Sequence, residues 1–501
     1  MEAPTLFLII LVATMIMILK FKKKSNSDNK LPPGPPGRTI FGNLFDLGSM
    51  PHRTLANLKQ KYGPVVWLRL GAKNTIVLLN AKSAAELFKN HDLVFVDRFL
   101  NEVMKSHDFH KGSIALSPYG PFWRSMKRVM TVQMLVNKKI NETTIVRRKC
   151  VDDMLMWIEK EANQDKTSSG GIHVARFVFL ASFNMLGNLL LSRDLVDPES
   201  TEGSEFFSTM LKLMEWSGHP NVADLFPWLK WLDPQGLKRR MNRDLSVALN
   251  IVAEFVKERK QSGLKKIDFL EVLLEFEGNG VDEPAKISDH NLNLLILETF
   301  LAGSETTSGT IEWAMVELLS KPETMINVKT ELNDIVGPRK FEENDIDKCK
   351  YLQSVLKETL RLHPPIPFLV PRRAVKDTNF MSYNIPKDTQ LFVNVWAIGR
   401  DPEHWEEPFS FKPERFIDSK VDYKGQHFEL LPFGAGRRIC AGIPLAHRML
   451  HLVLGSMLHE FDWEVQDLEA SGITDNRERL GVTVRKIVPL KAIPKKVRSI
   501  I

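Results

Sequence analysis

One cysteine in this chain stands where a thiol can be put to chemical use. Residues 432 to 442 read Pro432-Phe433-Gly434-Ala435-Gly436-Arg437-Arg438-Ile439-Cys440-Ala441-Gly442. Three glycines allow tight turning and positive φ, and let backbone N–H groups approach the sulfur. Helical periodicity from Pro444 to Phe461 places Cys440 just ahead of a helix N-terminus. Helix-start N–H groups and the cations Arg437 and Arg438 favour a thiolate there. Such a sulfur is either a covalent nucleophile, which needs a base beside it, or a ligand to a metal or haem iron. His447 is the nearest histidine, and nothing in the spacing positions it as a base. The arginines suit the negative charge of a thiolate and of haem propionates. Cys150 and Cys349 lack such surroundings and read as small structural hydrophobes.

A second group of reactive types lies in Asn291 to Glu317, NLNLLILETFLAGSETTSGTIEWAMVE. Its first half is apolar on nearly every face, which predicts a helix buried in a large core. Inside it come Gly303, Glu305, Thr306 and Thr307. A buried carboxylate is costly without a partner, and threonine and glycine are poor helix formers. Breaks of local rules in a buried helix mark a functional site. A hydroxyl beside a carboxylate can hold a water and pass protons.

The elements that must position these groups fill most of the 501 residues. Apolar residues are 43% and charged residues 26%, the composition of a globular protein with a large core. Long segments of period near 3.6 run through 141–360, among them Thr144 to Glu161, Asp244 to Ser262 and Lys348 to Leu362. Val65 to Leu70 and Thr75 to Leu79 predict an early hairpin, and short strands return between Phe368 and Val395. The fold class is mainly α with a minor β part. Three cysteines argue against a disulfide framework. The net charge of +7 comes without a recognition helix, zinc finger or aromatic-basic interleaving, so nucleic acid is not a partner.

Ala3 to Leu19 carries no charge and sits at the short end of the roughly 17–25 residues that span a bilayer. Lys20, Lys22, Lys23 and Lys24 follow it, the reverse of a cleavable signal. The order predicts an uncleaved transmembrane anchor over 1–20 with the body on the cytosolic side. The basic and proline-rich stretch 21–37, ending Leu31-Pro32-Pro33-Gly34-Pro35-Pro36-Gly37, predicts a stiff linker. Residues 38–501 contain no further linker or repeat and form one large domain.

The cysteine loop, with Phe433, Gly436, Arg438, Cys440 and Gly442 as F-x-x-G-x-R-x-C-x-G, resembles the haem-binding loop of the cytochrome P450 superfamily. Glu358-Thr359-Leu360-Arg361 looks like its E-x-x-R, Pro413-Glu414-Arg415-Phe416 like its P-E-R-F, and Ala302 to Thr307 like its oxygen-activation motif. These stand in the family's order, and the resemblance spans essentially the whole chain. The anchor and proline hinge look like those of microsomal members. The wording of the motifs is most similar to plant enzymes of specialised metabolism, in the group that includes monoterpenoid hydroxylases.

The resemblance implies the P450 fold in a single catalytic domain and a monooxygenase acting on a small to medium apolar substrate such as a terpenoid. Cys440 is then the axial thiolate of haem b. Arg438, Arg372 and Trp123 face propionates, Phe433 shields the sulfur, and Gly436 shapes the loop. Ala302 and Gly303 lie over the haem, and Glu305 and Thr306 form the acid–alcohol pair that serves O2. Glu358, Arg361 and Arg415 become a structural triad. One departure is Lys127, where the family often has W-x-x-x-R starting at Trp123; lysine keeps the charge but loses the planar fork. Electrons come from NADPH through a flavoprotein reductase in the endoplasmic reticulum membrane, docked on Lys127, Arg128, Arg437 and Arg448. Phe109, Leu294, Leu297, Phe368, Leu369 and Val482 are candidate pocket residues, each read as plain core until seen lining a cavity. A haem-thiolate isomerase or dehydratase on the same fold, and a non-enzymatic membrane haem protein, are the rival readings. The acid–alcohol pair argues against both.

Overall fold

The computed structural model describes residues 30–164, 171–197, 204–466, 468–469, 471–475 and 477–497. The expected anchor, 1–20, and most of the linker, 21–37, lie outside the described residues. Among those that are described, helices dominate. Counting the elements that bear on the site, they are α1 (Pro121–Arg128), α2 (Thr144–Gln164), α3 (Val174–Leu191), α4 (Ser204–Gly218), α5 (Leu237–Ser262), α6 (Asp289–Ser320), α7 (Lys350–Leu362) and α8 (Ile443–Glu460).

α6 is the axis of the molecule. Ser288 caps it by accepting from the Asn291 N–H, as an N-cap serine does. It packs against α3, α5, α7 and α8, which is why its sequence is apolar nearly all round. The hydroxyls in its middle do not break it. Ser304, Thr306, Thr307 and Thr310 each donate to the carbonyl four residues back, at 2.7 to 2.9 Å. The polar groups are thereby satisfied inside the helix, at the cost of a slight bending tendency. α3 is apolar and long enough to cross a membrane, but 78% of it is buried by the protein, so it is a core helix.

The minor β part gathers segments far apart in sequence. β1 (Val65–Leu70) and β2 (Lys73–Leu78) form the predicted hairpin, with Val65 opposite Leu78. The turn is only Gly71-Ala72, tighter than expected, and Gly71 takes φ +59°, a conformation that suits glycine. β2 pairs in parallel with β5 (Gln390–Val393), which pairs antiparallel with β4 (Arg372–Arg373), which pairs antiparallel with β3 (Asp97–Arg98). A separate hairpin, β6 (Glu478–Leu480) and β7 (Val484–Lys486), lies near the C-terminus.

The Glu–Arg pair of α7 is fully buried. Arg361 makes two bonds of 2.7 Å to Glu358. Arg415 Nε and the Lys412 N–H also donate to Glu358 Oε1, at 3.0 and 2.8 Å. The remaining Arg361 donors reach the carbonyls of Gly399, Pro408 and Ser410 at 2.5, 2.7 and 3.0 Å. The network ties α7 to the loops that lead into the cysteine segment, a structural role.

Candidate active site

The loop that carries Cys440 is built from the backbone outward. Gly434 and Gly436 take φ +71° and +69°. A Cβ on Gly436 would lie 2.7 Å from Asp92 Oδ1, so glycine is needed for the loop to close on that carboxylate. The Arg437 N–H and guanidinium then reach Asp92 Oδ2 at 3.0 and 3.1 Å. The Cys440 N–H donates to the Phe433 carbonyl at 3.1 Å, and the Gly442 N–H points at the sulfur from 3.3 Å. The Phe433 ring lies 5.3 Å from that of Tyr423. α8 begins at Ile443, so the sulfur stands just ahead of its N-terminus.

The electrostatics around the sulfur differ from the expectation. Arg437 turns to Asp92, and Arg438 donates to the carbonyls of Val96, Ile114 and Ser117 at 3.1, 3.2 and 2.6 Å. The Cys440 thiol is accessible but enclosed by surrounding protein, and that desolvation pushes it up, while the Gly442 N–H, Lys127 and the Ile443 N–H pull it down. The cation beside the sulfur is therefore Lys127, whose Nζ donates to the Ile439 carbonyl at 2.6 Å. That bond also takes Lys127 out of the expected docking face. Burial pushes its ammonium below the ordinary lysine range.

Next to the loop lies a cluster of cations short of anions. Arg98 and Arg372 sit directly opposite each other on β3 and β4, both buried. Like charges in that position repel. Burial pushes the Arg98 guanidinium well down, and Arg372 and Arg438 add to the effect. Arg438 is pushed down to about 10 by burial, with Arg372 next in effect. Asp92 bonds Arg372 at 2.7 Å; burial works to raise its carboxyl, but Arg372 and Arg437 together outweigh this and hold it below the ordinary range. Trp123 does not stand free to meet a ligand. Its indole donates to the Ile114 carbonyl at 2.8 Å, and Arg438 lies over its ring at 4.3 Å.

A soft sulfur ligand beside three crowded guanidinium groups fits a haem, whose two propionates supply the missing negative charge. Arg98 and Asp92 escaped the sequence reading, because their partners lie some 270 to 345 residues away. Replacing Arg98 with glutamine relieves repulsion but gives up bonds to the Ala115 and Val370 carbonyls at 2.9 and 2.7 Å, so the pigment-free protein is expected to lose about 1–3 kcal/mol. Haem retention should weaken roughly tenfold, the scale of one charge-assisted bond. Transfer of haem to an acceptor protein, together with thermal unfolding of the pigment-free chain, checks both halves.

On α6, Ala302 is exposed although its neighbours along the helix are mostly buried. Thr306, one turn on, is partly open on the same side, with its hydroxyl on the Ala302 carbonyl at 2.7 Å. Glu305 faces elsewhere. It is buried, and Thr483 and Arg485 of the β6–β7 hairpin donate to it. Gly303 does not open space over this face either. A Cβ there would meet Leu186 Cδ1 of α3 at 2.9 Å, so the glycine serves helix packing.

Glu298, one turn before Ala302, is buried and bonds the Ile114 and Ala115 N–H groups at 2.6 and 2.9 Å and the Ser113 hydroxyl. It fastens α6 to the loop whose Ile114 carbonyl receives Trp123 and Arg438. Among the candidate pocket residues, Leu294 and Leu297 are fully buried core, Phe109 is buried, and Phe368 packs on Phe392 at 4.9 Å. Leu369 is partly buried and Val482 is 39% exposed.

Comparison with known proteins agrees with this geometry. The family model described as Cytochrome P450 matches residues 32–491. The chain is 55% identical over 493 residues to Cytochrome P450 76A2 of Solanum melongena, covering 97% of each chain. It is 50% identical to an iridoid oxidase of Catharanthus roseus, covering 96% of this chain and 95% of that one. It is 38% identical to a geraniol 8-hydroxylase of the same plant, covering 99% of each. A solved zebra fish cytochrome P450 structure with progesterone superposes with a TM-score of 0.77 at 25% identity, over 89% of this chain and 99% of that one.

Proposed function

The chain belongs to the cytochrome P450 family and is a monooxygenase, and from that premise we propose that it inserts one oxygen atom of O2 into a small to medium apolar substrate of the terpenoid class. Electrons come from NADPH through a flavoprotein reductase. The observation that carries the reading is the open face of α6, where Ala302 and the Thr306 hydroxyl stand on a helix that packs against the one following Cys440. The relatives named as an iridoid oxidase and a geraniol 8-hydroxylase support a monoterpenoid.

Cys440 would hold a haem here through its sulfur, and Arg438, Arg372 and Arg98 would supply positive charge for its propionates. When bound, it supplies the activation of O2 and the oxidation of the substrate. The protein does the rest. The loop fixes the sulfur through the Phe433 carbonyl and the Gly442 N–H. Thr306 Oγ1 donates to the Ala302 carbonyl, which leaves its lone pairs free to accept a hydrogen bond from a water on the open face. Glu305, the adjacent acid, would have to turn away from Thr483 and Arg485 to resupply Thr306. Ala302 presents only a methyl group and leaves room for small reactants on this face of α6. Leu369 and Val482 border the substrate.

The reductase docks on Arg128, Arg437 and Arg448. The anchor, 1–20, and linker, 21–37, hold the domain on the cytosolic face of the endoplasmic reticulum membrane in a single pass. An exposed apolar patch supports that orientation. Ile40, Phe41 and Phe45, close behind the linker, are exposed, as are Trp228, Trp231 and Leu232. The Phe41, Phe226 and Trp228 rings link the two segments at 5.8 and 5.2 Å. Aromatic side chains of this kind favour the membrane interface.

Thr306→Ala tests the reading. Reductase-driven turnover of geraniol, and of a panel of terpenoid alcohols chosen by spin-state shift, should lose product about 10- to 100-fold. NADPH consumption should persist, with the lost product replaced by hydrogen peroxide. Product and NADPH consumption falling together, or neither falling, would count against a proton role for Thr306.

A further inference from the structure

Tyr423 stands beside the cysteine loop with a base on its hydroxyl. The residue is buried, and its ring lies 5.3 Å from that of Phe433, whose carbonyl accepts the Cys440 N–H at 3.1 Å. Its Oη reaches Nδ1 of His447, on α8, at 2.8 Å. The His447 ring in turn packs on that of His451 at 4.3 Å. His451 Nδ1 donates to the His447 carbonyl at 2.6 Å. His447 is half-buried and His451 buried.

Burial fixes the protonation of all three groups. It pushes the Tyr423 hydroxyl well above its ordinary range, with Asp422 adding to the effect, so the phenol keeps its proton. It pushes His447 down to about 4, with Arg448 and Lys424 adding to it, and His451 down to about 3, with His447 next in effect. Both imidazoles are therefore neutral, each with one N–H and one lone pair. Among the described residues His447 is the side-chain partner of Tyr423 Oη. The opposite tautomer would leave a buried phenol proton unbonded, which is costly. Tyr423 is thus the donor and His447 Nδ1 the acceptor.

While the phenol stays reduced, the pair is ordinary core structure. A phenol ionises only near pH 10, but once it has lost an electron its O–H is strongly acidic. Oxidation therefore needs a proton acceptor within hydrogen-bond reach. Tyr119, beside Trp123 at 5.3 Å, is worse placed. The Arg124 guanidinium lies over its ring at 5.7 Å, and its hydroxyl faces Arg437. Positive charge at that range opposes the loss of an electron.

Resting on the reading of Cys440 as the haem ligand, we propose that Tyr423 and His447 form a redox site, in which Tyr423 gives one electron through Phe433 to an oxidised haem and its Oη proton to His447 Nδ1. The haem gains that electron, and the pair becomes a neutral tyrosyl radical beside an imidazolium. The step reverses when one electron of the NADPH-fed supply returns to Tyr423 and the proton comes back from His447. Enclosed in protein, His447 is a weak base, so the proton's return is favoured. The site drains oxidising equivalents formed when no substrate is bound to receive them.

The test uses the full-length, haem-loaded ferric chain without substrate. Peracetic acid supplies the oxidising equivalents, and samples frozen directly after mixing are read by electron paramagnetic resonance. The wild type should show a radical signal that narrows when its tyrosines carry ring deuterium. Of the five tyrosines, Tyr423→Phe should remove the signal and Tyr119→Phe should leave it. In His447→Leu it should shrink, and its high-field g value should move, because the oxygen has lost its charged neighbour. A signal of wild-type size in Tyr423→Phe, or one lost in Tyr119→Phe instead, overturns the site. A signal indifferent to His447→Leu in both size and g value overturns the path of the proton. A wild-type chain with the thiolate carbon monoxide band but no tyrosyl signal leaves the ligand reading standing and sinks the redox site. With no thiolate band, both fall. Should Tyr423→Phe itself lose the band, His447→Leu decides by the same signal.

Discussion

Cys440→Ser is expected to yield a folded protein without its pigment and without turnover. The reduced, carbon monoxide-bound spectrum should lose the thiolate band. Product formation should fall on the order of a thousandfold or more, the scale at which removing a group essential to the chemistry costs. The fold should survive, because the side chain is exposed and belongs to no core cluster. Substitutions of that kind shift stability by only about 0.5 kcal/mol. The loop geometry rests on the backbone bond from Cys440 to Phe433 and on the fit of Gly436 against Asp92, neither of which needs the sulfur. Serine offers a neutral alcohol, and the histidine nearest in sequence, His447, is bonded to Tyr423 Oη at 2.8 Å. A serine variant that kept its pigment and oxidised substrate at the wild-type rate would sink the assignment of the ligand. Far-ultraviolet circular dichroism of the same sample separates lost ligation from lost fold.

What could be read from the sequence was local. The cysteine loop, the long buried helix and the Glu358–Arg361 pair each carry their signal within a few residues, and the structure places each as a unit. The first hairpin was legible from two β-prone runs and a glycine turn. β3 and β4, of two residues each, are too short to leave a pattern, and with them Arg98 and its place opposite Arg372 stayed hidden. Orientation was the other loss. Glu305 and Thr306 read as a pair because they are adjacent, but adjacency on a helix guarantees different faces. Gly303 read as space for oxygen, when the demand on it comes from Leu186 across the α3–α6 contact. Arg437 read as a cation for the sulfur, when Asp92, 345 positions earlier, claims it. In each case the residue type was informative and the partner was not, since the partner is chosen by packing between distant segments.

Arg361→Met carries the second large effect, on the fold rather than the chemistry. It leaves Glu358 buried with Arg415 and one N–H as its remaining partners. Breaking a buried ion pair on one side costs about 3–5 kcal/mol, against a total stability of roughly 5–15 kcal/mol. The variant should express mainly as insoluble or pigment-free protein, and its denaturant midpoint should fall accordingly. Removing both charges, as Glu358→Leu with Arg361→Met, normally recovers most of such a loss, because no lone charge remains. Here recovery should be partial. Arg361 also satisfies the carbonyls of Gly399, Pro408 and Ser410, and each buried acceptor left alone costs about 1–3 kcal/mol. The double variant should therefore lie between Arg361→Met and wild type, still clearly destabilised. Full recovery would mean that the pair acts only through its mutual charge. An unmoved midpoint in Arg361→Met would show that the support of the cysteine loop lies elsewhere.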